Sequence, residues 1–242
     1  MKTSNKIFIA TGLLLLAYMV GYDFTLKTAY EKGDYKSRFY NMTELKFNNF
    51  NIVNHQAGNM LGLRVEHGDK YGVWVDKNLK DWVKITQNGQ VLNITYAGKN
   101  FRQAGRYQGI VIICPVLSQI TATPFPKPKD VEEYNFGSDG GIEVAGFKQT
   151  LPMNIRSDKS ISVTLSKNIL TDLTANIGNS PKERPRLTIE QNNHIATAHI
   201  TMQGASQLSL YGPAVEKPDY HLGDSTVVTL SGSALKLVQP KL

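Results

Sequence analysis

Five carboxylates crowd one short stretch of the chain, DVEEYNFGSDGGIE at 130–143: Asp130, Glu132, Glu133, Asp139 and Glu143. Grouped carboxylates are what a polysaccharide-cleaving enzyme needs, either as general acid and base or to hold Ca2+. The same residue types in a glycine-containing segment equally make a solvated loop, and GSDGG lacks the repeated spacing of a calcium-binding nonapeptide array. The two tryptophans, Trp74 and Trp82, are a second chemical resource, because an exposed aromatic ring stacks on a sugar. Their other fate is core packing. These seven residues are the ligand-binding candidates.

The remaining reactive types form no constellation. The histidines, His55, His67, His194, His199 and His221, give no HExxH and no paired metal spacing, so no metal site is expected. His194 and His199 lie five apart, which on a regular strand puts them on opposite faces. The one cysteine, Cys114, sits in the apolar run GIVIICPVLS and cannot form an internal disulfide. It reads as a buried small hydrophobe with no nearby base to activate it. No G-x-S-x-G elbow, P-loop or G-x-G-x-x-G is present. No catalytic residue and no cofactor is expected, and the chain reads as a protein other than an enzyme.

The 242 residues carry a net charge of +7, with lysines scattered rather than blocked. The densest basic stretch, PKERPR at 181–186, contains Glu183 and two prolines and reads as a solvated loop. No nucleic-acid partner is expected. At the N-terminus, MKTSNKIFIATGLLLLAYMVGYDF places Lys2 and Lys6 before an apolar run from Ile7 to about Tyr22, and Asp23 after it. The charge asymmetry leaves the N-terminus in the cytoplasm and exports the rest. Residues 1–24 are therefore read as a signal-anchor or transmembrane helix. LAYMVGYDF offers no good small-x-small cleavage site, which favours an uncleaved anchor over a cleaved signal peptide. The expected location is the cytoplasmic membrane facing the periplasm, or the cell surface or medium if the segment is cleaved. Residues 25–44 read as a juxtamembrane linker.

The elements that must position the candidate residues are short strands. Leu61, Leu63 and Val65 alternate with polar or small residues, HGDK at 67–70 turns, and Val73 and Val75 share a face with Trp74 opposite. Asn88-Gly89, flanked by Val83 and Ile85 before and by Leu92, Ile94 and Tyr96 after, predicts a hairpin. GIVIICPVL at 109–117 reads as a strand buried on both faces. Pro124, Pro126 and Pro128 then force an extended loop, the seam of two halves joined near 121–136. In the second half, alternating runs begin at 142, 161, 187, 208 and 227, a loose period near 20 punctuated by glycine and proline. GASQLSLYG at 204–212 and GDSTVVTLSG at 223–232 repeat one pattern at that interval. The period suits a β-solenoid, and short alternating strands also suit an antiparallel sandwich.

The stretch from Phe50 to Tyr96, a strand and then LRVEHGDKYGVWVDKNLKDWVKITQNGQVLNITY, together with the G-x-S-containing runs at 204–237, resembles the head GIN domain family of Bacteroidetes-type bacteria, described as auto-transporter adhesins and also as a family of unknown function. The likeness covers roughly two thirds of the exported part. Residues 97–136 fit it poorly, and residues 142–190 have fewer Gly-Ser-Gly corners than the family. The resemblance implies an all-β domain over 45–242, a right-handed parallel β-helix, and an exported adhesin-like or scaffolding role without catalytic residues. The membrane, through the N-terminal helix, and an envelope polysaccharide or protein are the implied partners. The alternatives are a polysaccharide-acting enzyme using the carboxylates at 130–143 and a membrane-tethered sensor.

Overall fold

The computed structural model describes residues 3–98, 108–126, 141–158, 161–178, 184–212 and 214–237. The candidates Asp130, Glu132, Glu133 and Asp139 lie outside these residues. The chain divides into two compact units, Met1–Met42 and Thr43–Leu242.

The first unit is built on α1 (Thr3–Lys32), 30 residues without a buried side chain. Its apolar stretch has a mean hydropathy of 1.8 and is long enough to cross a membrane. Thr11, Thr25 and Thr28 return their hydroxyls to main-chain carbonyls three or four residues back, which hides their polarity within the helix. Gly33, at φ 69°, ends the helix, and Tyr30 stacks on Tyr35 with ring centroids 5.2 Å apart.

The second unit is two large sheets. The first contains β1 (Met42–Leu45), β4 (Gly72–Asp76), β7 (Gln108–Cys114), β3 (Gly62–His67), β9 (Gly141–Ala145), β12 (Ser162–Ser166), β14 (Arg186–Ile189), β16 (Gln207–Tyr211) and β18 (Val227–Ser231), in that spatial order. The second runs β17 (Val215–Leu222), β15 (His194–Met202), β13 (Ile169–Ile177), β11 (Met153–Ser157), β8 (Gln119–Ala122), β2 (Ile52–His55), β6 (Val91–Tyr96) and β5 (Val83–Asn88), with β10 (Lys148–Gln149) paired to β13.

Register turns the sequence alternation into continuous rows. In the first sheet Val75, Ile110, Leu63, Ile142, Val163, Leu187, Leu208 and Val228 stand abreast, and Val73, Ile112, Val65, Val144, Leu165, Ile189, Leu210 and Leu230 form the next row. In the second sheet the rows are Leu92, Val53, Ile120, Ile155, Ala175, Ile200, Tyr220 and Ile94, His55, Ala122, Ser157, Ile177, Met202, Leu222. Most of these side chains are buried in one core cluster, with Val228, Leu230, Tyr220 and Leu222 more exposed at the last strands. β-branched and γ-branched residues stacked on a pleated surface fill such rows well.

The expected right-handed parallel β-helix is overturned. The sheets are mixed: β4 pairs with β7 and β5 with β6 antiparallel, while the other assigned pairs run parallel. Strand order is also out of sequence in the first half, where β3 lies between β7 and β9, and β2 between β6 and β8. The predicted Asn-Gly hairpin is itself one of the antiparallel pairs, with Gly89 at φ 57°. A period near 20 fixes strand length and turn spacing, and says nothing of which edge a strand joins. β8 also lies centrally, ending at Ala122 just ahead of the prolines at 124 and 126.

Two buried asparagines brace the corner that leads from the first sheet to the second. Asn168, before β13, receives the N–H of Phe147 and donates to Val144 O. Asn193, before β15, accepts from both the N–H and Nδ2 of Asn168 at 3.1 and 3.0 Å and donates to Leu165 O and Glu190 O at 2.7 Å each. On the opposite side Gly178 (φ 73°) makes the bend, and a Cβ there would stand 2.8 Å from Gln203 O.

Candidate functional site

Glu143 is the one member of the carboxylate group within the described residues. It occupies an outward position on β9, where Arg64 on β3 is its register partner. Arg64 donates from Nη1 to Glu143 Oε2 at 2.6 Å and from Nε to Glu66 Oε2 at 3.0 Å. Ser166 on β12 donates to the second oxygen of Glu143 at 3.1 Å. One guanidinium thus clamps two carboxylates, with Glu66 the more deeply covered at 11% side-chain exposure against 37% for Arg64. Charge-assisted bonds of this kind fix orientation as well as adding attraction. The arrangement fixes both carboxylate oxygens of Glu143 as acceptors, one from Arg64 and one from Ser166.

Trp74 falls on the same face. Val73 and Val75 are buried at 0% and 3%, whereas Trp74 points away from the core and is half-buried. Register sets Trp74 beside Val111, then Arg64, Glu143, Thr164, Thr188, Ser209 and Thr229 in one row on the side away from the core, where Ser209 alone is buried. At a strand spacing of about 4.8 Å, Trp74 and Glu143 are roughly 14 Å apart and the row is roughly 34 Å long. The next line on that side, Ile113, Glu66, Ala145 and Ser166, is largely covered, the last three being buried.

Trp82 belongs elsewhere. It packs against the core beside Tyr96, ring centroids 6.2 Å apart, and Tyr96 in turn meets Phe125 edge-on at 5.4 Å. Burial raises the Tyr96 phenol above its ordinary pKa. Trp82 is not brought together with Trp74 or Glu143.

Sequence reasoning missed Arg64, Glu66 and Ser166. The signal was present in LRVEH, where two opposite charges alternate with two buried apolar residues and so share the outward face. It also separated His194 from His199. Both are exposed, because β15 buries Ile195 and next Ala198, a three-residue step that resets the alternation. His199 Nδ1 lies 2.9 Å from Asp219 Oδ2 and His221 Nδ1 3.6 Å from Asp219 Oδ1. The His199 hydrogen bond holds the Asp219 carboxyl below its usual range. No group of three His, Cys, Asp or Glu arranged to hold a metal occurs among the described residues.

His55 and Cys114 are interior groups. His55 is fully buried, with Nε2 2.9 Å from Leu61 O, and burial lowers its pKa to about 4. The ring is therefore neutral with its proton on Nε2. Cys114 is buried, and desolvation pushes its thiol up to about 12, far from a reactive thiolate.

Compared with known protein families the chain matches none, and no curated protein matches its sequence. The head GIN name is accordingly not supported. Solved structures similar to the chain include a "putative adhesin" from Bacteroides fragilis, 10% identical over 78% of this chain and 95% of that one, with a TM-score of 0.37. Another is a "putative lipid binding protein" from Parabacteroides distasonis, 13% identical over 79% and 93%, TM-score 0.36. A third is a "putative adhesin" from Parabacteroides merdae, 13% identical over 78% and 95%, TM-score 0.29. Likenesses this remote assign neither an activity nor a ligand, and what the chain does has to be argued from its own surfaces.

Proposed function

We propose that this chain is a non-enzymatic, exported cell-envelope protein whose β unit binds an extended polymer, an envelope polysaccharide, along the outward face of the first sheet. The observation that carries the reading is the single row from Trp74 through Arg64 and Glu143 to the hydroxyls of Thr164, Thr188 and Thr229. An aromatic platform, a fixed carboxylate and a file of hydroxyls at a regular spacing suit repeated sugar units, with stacking and hydrogen bonding sharing the recognition. Glu143 is committed to Arg64 and Ser166, which favours holding a ligand over transferring a proton to it. The apolar helix α1 supports export and attachment to the cytoplasmic membrane, with the β unit on the far side.

The test uses residues 43–242 against a panel of bacterial and plant polysaccharides, with binding and chain shortening recorded in the same wells. Binding without shortening is expected. Trp74→Ala and Glu143→Gln should each weaken it about tenfold or more, equivalent to about 1.4 kcal/mol, while Trp82→Phe leaves it unchanged. Shortening would make the protein an enzyme and overturn the reading. Binding indifferent to both Trp74 and Glu143 would move the site off this face.

A further inference from the structure

The two sheets finish differently at the C-terminal side. β17, the last strand of the second sheet, is guarded in the way natural edges are: Glu216, Lys217, Asp219 and His221 are exposed along it, and Pro218 has no N–H to offer. β18, the last strand of the first sheet, reads VVTLS and carries neither charge nor proline. Its Val227 and Val228 are 58% and 42% exposed, although Leu208, Leu187 and Val163 in the Val228 row are fully buried.

The hydrogen-bonding direction of β18 is fixed by its neighbour. Val227 N–H donates to Ser206 O at 2.8 Å, and Ser231 O accepts from Gly212 N–H at 3.0 Å. Residues 227, 229 and 231 thus spend their main-chain groups on β16, and by alternation Val228 and Leu230 direct theirs to the edge that no strand among the described residues pairs. Their side chains are the same two that end the inward apolar rows.

We infer that β18 is a self-pairing edge which takes β18 of a second copy of this chain, antiparallel, about a two-fold axis through Thr229. That register alone satisfies three requirements together. It sets Val228 opposite Leu230 of the partner twice over, so the four open-edge main-chain groups of each copy form four hydrogen bonds in all. It keeps Val228 and Leu230 on the interior side of both copies, which continues the apolar rows. Within β18 it brings no charge against a like charge, because VVTLS carries none. Thr229 then faces its own counterpart in a non-hydrogen-bonded pair, with Cα atoms about 4.5 Å apart. A five-residue contact is small beside the roughly 1,600 Å2 of a standard interface, so the pairing is weak in free solution and gains from tethering both copies to one membrane surface.

The inference does not rest on the polysaccharide reading, although Thr229 also ends the row invoked there, and it is tested by cross-linking the full chain in mild detergent. Thr229→Cys places two thiols within disulfide reach, about 4.4–6.8 Å between Cα atoms, and the native Cys114 is buried and does not compete. Thr171→Cys, exposed on β13 away from the edge, is the control. Mild oxidation should convert Thr229→Cys to a covalent dimer at least tenfold faster than Thr171→Cys. Adding Val228→Asp to Thr229→Cys should return the rate to the control, with the circular dichroism spectrum unchanged. Equal rates for the two cysteine variants, no dimer from Thr229→Cys, or a dimer that survives Val228→Asp would each overturn the pairing.

Discussion

Replacing Asn193 by alanine should be among the costliest single changes in the β unit. Its carboxamide serves four partners: Leu165 O, Glu190 O, and the N–H and Nδ2 of Asn168. Asn193 is 5% exposed and Asn168 0%. A buried polar group left without a partner costs about 1–3 kcal/mol. Three of the four bonds are buried, and a water in the vacated space recovers part of the loss, so the net expectation is about 3–4 kcal/mol. For a unit of this size that lowers the melting temperature by roughly 10 °C. Asn193→Asp sharpens the test. It keeps the acceptor for Asn168 but sets a carboxylate oxygen against Leu165 O and Glu190 O. The native state then favours the protonated acid, which raises the folded pKa above the unfolded value near 3.9. Stability contributed by that proton is lost as pH rises, so the deficit relative to wild type should shrink between pH 7 and pH 4.5. Urea unfolding of residues 43–242 at both pH values measures it. An alanine variant within about 1 kcal/mol of wild type, or an aspartate deficit that ignores pH, would refute the account of this corner.

Other outcomes follow from interior groups and the bend. His55, lowered to about 4 in the fold against 6.5 when unfolded, takes a proton in the unfolded chain first. It should remove up to about 3 kcal/mol as pH falls from 6.5 to 4; His55→Leu, though less stable at pH 7 for stranding Leu61 O, should show a flatter urea midpoint over that range. Cys114 should resist iodoacetamide at pH 8 in the native state and react within minutes in urea, as a mass shift would report. Gly178→Ala should destabilise by about 2 kcal/mol, by strain at positive φ plus the clash with Gln203 O, measurable as a lower urea midpoint.

Local alternation carried much of the fold into view. Val73 and Val75 inward with Trp74 outward, and the hairpin at Asn88-Gly89, follow from side-chain period and turn chemistry alone. Strand partners did not, because pairing is a long-range choice: β3 accepts β7 on one edge and β9 on the other, and no local pattern in LRVEH names either. The site shows the same division. Glu143 drew notice for its acidic neighbours in sequence, yet the residue that fixes it, Arg64, lies 79 positions away. Asn168 and Asn193 carry no local signal, since their value lies in bonding each other across 25 positions. His194 and His199 were misplaced because a strand that bends no longer alternates.

The placement of β3 between β7 and β9 also sets an order of events for folding. Beyond β9, neighbouring strands are separated by intervals such as the 21 residues from Phe147 to Asn168. The junction of β3 with β9 closes a span of 79. By loop-closure scaling the longer span costs only about 1 kcal/mol more, but it has a timing consequence. During synthesis β2 and β3 wait, each with an uncovered edge, until β8 and β9 have emerged. The N-terminal half therefore passes through an interval in which its apolar rows are exposed, which a holding chaperone would cover and slow translation through 115–140 would lengthen.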